Sequence, residues 1–140
     1  MSDASTSTTP LPWQVSRDEF LSAAREVGSD GACCVFVIDD DIPKNARSGY
    51  AALVIAYARA DEPVWIMDGG AAVLVRDGGT ASGRVVATRV LDQMRRLALE
   101  NTLRAGVVPL SGEPGRALTD AQTAAAAAAP GSVTVVDDRA

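Results

Sequence analysis

Residues Ala32 to Ile38 read Ala-Cys-Cys-Val-Phe-Val-Ile, an unbroken apolar run entered through Gly31 and stopped by Asp39-Asp40-Asp41. No polar side remains in this run at a period of two or of 3.6, and it is rich in β-branched and small side chains. It predicts a buried central strand. In such a strand Cys33 and Cys34 point to opposite faces, where a mutual disulfide would be strained. Both are expected as buried, reduced thiols.

The remaining elements follow from local signals. Ser16-Arg17-Asp18-Glu19 is a capping box, and Phe20, Leu21, Ala24 and Val27 continue it at helical spacing until Gly28. Tyr50 to Ala60 places Leu53, Val54 and Tyr57 on one side of a second helix that Pro63 cannot continue. Val64 to Met67 and Val73 to Val75 flank Asp68-Gly69-Gly70, a turn signal for a hairpin. After Gly78-Gly79 the apolar Val85, Val86, Val90, Leu91, Met94 and Leu97 alternate with arginines in a long helix predicted to end near Asn101. Val107 to Leu110 is a strand, Thr119 is the expected cap of a helix over Ala121 to Ala129, and Val133 to Val136 is a last strand. The order α-β-α-β-β-α-β-α-β predicts an α/β (α+β) domain with one mainly antiparallel sheet flanked by helices.

A chain of 140 residues, 47% hydrophobic, closes one core of ordinary size. Residues 1–15 are expected to be a flexible N-terminal tail, 16–137 the domain, and 138–140 a short C-terminal tail. Thirteen basic residues against 18 acidic ones give a formal charge of −5, and the pI is near 4.6. That balance disfavours nucleic acid and anionic membrane as partners. No apolar stretch approaches the length of a membrane span and no signal peptide is evident, so a cytoplasmic location is expected. The absence of histidine removes the commonest general base and transition-metal ligand, and with it Ser-His-Asp and Cys-His chemistry.

From Val35 to Val135 the order of motifs resembles the GGDEF domain, the diguanylate cyclase family with a nucleotide-cyclase-like, ferredoxin-related fold. Val37-Ile38-Asp39-Asp40-Asp41-Ile42-Pro43-Lys44 looks like the family's strand end, and Met67-Asp68-Gly69-Gly70-Ala71-Ala72-Val73-Leu74-Val75 like its signature hairpin. A helix, a strand ending in Ser111-Gly112 and a helix containing Asp120-Ala121 follow in the family's order. The resemblance implies a Mg²⁺ site at the first aspartate of the strand end and at the acidic residue after the two glycines. Here Asp39 survives as a candidate, but Ala71 and Ala72 replace both acidic positions and Val73 the aromatic one. Alanine neither binds a hard cation nor accepts a proton. The resemblance therefore points to a degenerate module with no catalytic residue, no metal ligand set and no cofactor. It is expected to be no enzyme, and to serve regulation by binding a protein partner or its own copy. The alternative is a module that senses a nucleotide or cyclic dinucleotide without turnover.

The candidate ligand-binding residues are Asp39, Asp41, Lys44, Gly69, Gly70 and Arg59, the last from a product-site match, Arg59-Ala60-Asp61-Glu62, one residue out of register. Each has a plain counterpart. The aspartates suit a solvated acidic turn, and the glycines suit a hairpin turn. Arg89, Arg95 and Arg96 read as a solvated helix face, Trp65 as a core residue, and the run Ala124 to Ala129 as a helix face packed on the protein's own sheet.

Overall fold

The apolar run becomes the centre of a six-stranded sheet in the computed structural model, which describes residues 14–39, 42–43, 63–67, 69–99, 102–110 and 113–136. In chain order the elements are β1 (Gln14–Val15), α1 (Arg17–Val27), β2 (Ala32–Ile38), β3 (Val64–Met67), β4 (Gly70–Val75), α2 (Gly79–Arg96), β5 (Leu103–Pro109), α3 (Pro114–Ala127) and β6 (Val133–Val135). The sheet order is β1-β3-β4-β2-β5-β6. Strands β3, β4, β2 and β5 pair antiparallel throughout, while β1 joins β3 and β6 joins β5 in parallel. This four-strand core has the ferredoxin-related order that the sequence leads one to expect. The helix predicted over Tyr50 to Ala60 lies outside the described residues.

Alternation along β2 divides its side chains between two dry cores. Ala32, Cys34, Phe36 and Ile38 face α2 through Val86, Val90, Leu91 and Met94. Cys33 and Val35 face Phe20 and Ala24 of α1 and Ala117, Leu118, Ala121 and Ala125 of α3. Neither cysteine is in a disulfide, and the two are buried on opposite faces. Burial in this apolar layer pushes the Cys33 thiol up from its ordinary 9.0 to about 12, because desolvation penalises the thiolate.

Helix α3 rests on β5 at very short range. A Cβ added at Gly106 would sit 2.5 Å from the backbone nitrogen of Ala125 and closer still to the carbonyl oxygen of Ala121. The alanine run thus packs against the sheet, and its narrow profile is matched by a strand position without a side chain. Helix α2 uses the same device from its own side, since a Cβ at Gly83 would meet Val107 Cγ1 at 2.6 Å.

Several boundaries differ from the sequence reading. Gln14 and Val15, expected in the tail, pair with Val64 and Trp65 as an edge strand, because the free edge of β3, distant in sequence, offers them backbone partners. The box itself forms as predicted: Glu19 N donates to Ser16 Oγ at 3.1 Å, and Ser16 N donates to Glu19 Oε1 at 2.8 Å. Helix α3 starts at Pro114 and not at Ala121. Glu113 is the N-cap, accepting from Arg116 N at 2.9 Å, and proline suits the first helical position because no amide is needed there. Thr119 instead lies within the helix and donates to Gly115 O at 3.1 Å. Helix α2 stops at Arg96, short of Asn101. Leu99 N donates to Met94 O at 2.8 Å and Ala98 N to Arg95 O at 3.0 Å, a Schellman closure with Ala98 at φ 59°. Alanine in that left-handed region costs about 1 kcal/mol, which the packing of Leu99 against the α2-side core helps to offset.

Two outcomes test this packing. Gly106→Ala should lower the unfolding free energy in urea by roughly 3 kcal/mol, since the new methyl must displace helix backbone and not a flexible side chain. Neither cysteine should react with a thiol reagent at pH 8 until denaturant is added. Because the Cys33 pKa is raised on folding, the unfolded chain loses that proton first, so stability should decline as pH rises from about 9 towards about 12.

Candidate functional site

The end of the sheet where β2 finishes gathers the described residues that the sequence singled out. Ile38 N donates to Gly69 O at 2.8 Å, which ties the β3–β4 turn to the end of β2. Asp39 N donates to Thr102 O at 2.9 Å, and Ile42 N donates to Asp39 O at 3.0 Å. The Asp39 backbone is thereby locked beside the hairpin tip and the entry to β5. Gly69 has φ 82°, the left-handed conformation that glycine tolerates in a tight turn. Gly70 opens β4 opposite Val37, where a Cβ would overlap Phe36 O. Asp39, Gly69 and Gly70 therefore converge, and backbone geometry explains both glycines. Asp41, Lys44, Arg59 and Asp68 lie outside the described residues.

The residues after the glycines turn inward. Ala71 pairs with Phe36 and Ile66, Ala72 with Val35 and Trp65, and both are 0% exposed. Ala71 belongs to the core beneath α2 and Ala72 to the core beneath α1 and α3. A hard divalent cation requires several oxygen ligands. Among the described residues no group of three or more His, Cys, Asp or Glu side chains could hold a metal. Among the described residues, the carboxylate at this corner is the half-buried Asp39, and the two methyl groups that follow the hairpin glycines are enclosed.

Arg104 is the participant that sequence reading missed. With Val37, Ile38, Asp39 and Ala126 it lines a cleft of about 180 Å³ at this end of the sheet. It stands opposite Val37 in the β2–β5 register, and its guanidinium reaches the C-terminus of α3, where Nη1 donates to Ala128 O at 3.2 Å and to Ala126 O at 3.5 Å. A fixed cation there satisfies orphan carbonyls and complements the negative end of the helix dipole. The signal was present, since Arg104 is the one charged residue inside the run Leu103 to Leu110, but only the tertiary structure shows what it faces. Trp65 is half-buried and packs on the α1 and α3 side, with the Arg17 guanidinium carbon 6.0 Å from its ring centroid.

No family model matches the chain, and no curated protein sequence matches it. Solved structures do. The GGDEF domain of TpbB (YfiN) from Pseudomonas aeruginosa superposes with a TM-score of 0.61 at 20% identity, covering 84% of this chain and 83% of that one. A microbial GGDEF domain described for its mode of interaction with bis-(3,5)-cyclic di-GMP gives a TM-score of 0.56 at 16% identity, covering 86% and 87%. At these identities the likeness establishes the fold, and the expected GGDEF-like, cyclase-related architecture is the one this chain has.

Replacing the capping arginine isolates its structural role. Arg104→Met should keep the stem but release the two α3 carbonyls, lowering stability by about 1 kcal/mol in urea unfolding.

Proposed function

We propose that this chain is a GGDEF-like module without cyclase turnover, which acts in regulation by binding a partner protein or a second copy of itself. The observation that carries this reading is the enclosure of Ala71 and Ala72, each 0% exposed, at the positions corresponding to the acidic signature. Phosphoryl transfer depends on charge placed around the transferring group, and two methyl groups directed into apolar cores supply none. What remains is a scaffold: a rigid sheet, helices on both faces and a surface free to carry contacts. No helix among the described residues is long and apolar enough to cross a membrane.

A nucleotide-sensing role is the second reading. It is favoured by the cleft between Asp39 and Arg104 and by the relative described with cyclic di-GMP. In this reading the candidate contacts are the turn from Asp39 through Asp41 to Lys44 together with Gly69 and Gly70, or alternatively the region of Arg59, with Asp41, Lys44 and Arg59 outside the described residues.

Incubating the chain with GTP and Mg²⁺ or Mn²⁺ should leave the nucleotide unchanged on chromatography, whereas accumulation of a cyclic dinucleotide would refute the proposal. Calorimetric titration with GTP, ATP and cyclic di-GMP decides between the two readings. Heat without saturation is expected for the protein-binding module. Saturable binding that disappears in Asp39→Ala or Lys44→Ala would establish the sensor instead.

A further inference from the structure

Helix α2 holds four arginines, Arg84, Arg89, Arg95 and Arg96, and a single acid, Asp92. Its net charge is +3, so in a chain of total charge −5 the rest of the molecule carries −8. The helix buries Gly83, Val86, Ala87, Val90, Leu91 and Met94 on the sheet. Its outer side forms a shallow groove lined by Ala81, Arg84, Val85, Thr88, Arg89 and Asp92. Val85 is one of the residues lining that groove and is 56% exposed.

Local electrostatics explain only part of this pattern. Arg95 pairs with Asp92, and both Arg95 and Arg96 sit in the last turn, where cations complement the helix dipole. Neither reason applies to Arg84 and Arg89, which flank the exposed valine. Among the described residues Arg84, Arg89 and Arg96 make no ion pair. A cationic strip around an uncovered apolar side chain, on an otherwise acidic molecule, complements a ligand with carboxylates spaced around an apolar anchor.

We propose that the outer face of α2 docks an acidic amphipathic helix of a partner protein, with carboxylates on Arg84 and Arg89 and an apolar side chain over Val85. This rests on the binding-module reading and gives it a surface. Polyanionic nucleic acid is a poorer occupant, because it would also meet the field of the remaining −8. A second copy docked face to face would bring two strips of +3 together.

The test uses the full chain and two fluorescent amphipathic peptides of equal length, one of Glu and Leu and one of Lys and Leu, titrated by anisotropy. The Glu/Leu peptide should bind, weaken as salt rises, and lose about tenfold or more in affinity to R84E/R89E, while the Lys/Leu peptide gains affinity for that variant. Val85→Ser should weaken the Glu/Leu peptide several-fold without altering the salt dependence. All three positions lie on the outer face, so unfolding midpoints should stay close to that of the parent chain. Undiminished peptide binding by R84E/R89E would overturn the proposal. So would tighter binding of duplex DNA or phosphatidylserine vesicles than of the peptide, or self-association in sedimentation that the double variant abolishes. GTP turnover would instead sink the module reading, and these titrations do not depend on it.

Discussion

Strand β2 is hydrogen-bonded on both edges and dry on both faces, and the other elements take their places from that condition. Its seven residues, Ala32 to Ile38, are in register with β4 on one side and β5 on the other. Every one of its side chains except Val37 is buried. Each large side chain so enclosed contributes on the order of 2 kcal/mol relative to exposure, and each of its amides has a partner that an interior without water could not otherwise supply. Covering both faces requires helices to approach closely, and two glycines allow it, Gly106 beneath α3 and Gly83 within α2.

The same enclosure shapes what the sheet can do chemically. Because β4 lies directly beside β2, the residues that follow the hairpin glycines are interior by position: Ala71 enters one core and Ala72 the other. Polar groups are left to the strand ends, where Asp39, the Gly69 turn and Arg104 meet. Arg104 in turn is held by the end of α3, so this corner is as much a helix terminus as a cleft. Helix α2 carries four arginines against the single acid Asp92, in a chain whose formal charge is −5.

Much of the fold was legible because it is written in short-range terms. The apolar run and the Ser16–Glu19 capping box each rest on residues within a few positions of one another and form as read, and Gly69 takes the positive φ expected of a hairpin glycine. The difficulties arose where a local rule had an unusual executor. Glutamate is an uncommon N-cap and Thr119 a commoner one, so the local pattern does not mark the helix start at Glu113-Pro114. Alanine is an uncommon residue for a left-handed helix end, so the stop at Ala98 left no glycine to mark it. The pairing of Gln14 and Val15 with β3 depends on residues about fifty positions away, which no local pattern carries.

The amino-acid sequence by itself determined the strand at the centre, the glycine turn, the alanines directly after it and the absence of histidine. These are matters of which atoms exist and of conformations that neighbouring residues impose. Tertiary structure alone decided that Gly106 has to be a glycine, that Arg104 closes a helix while lining a cleft beside Asp39, and that Ala71 and Ala72 belong to opposite cores. Those outcomes depend on which distant segments come within a few ångströms, and that distance is set by packing around β2.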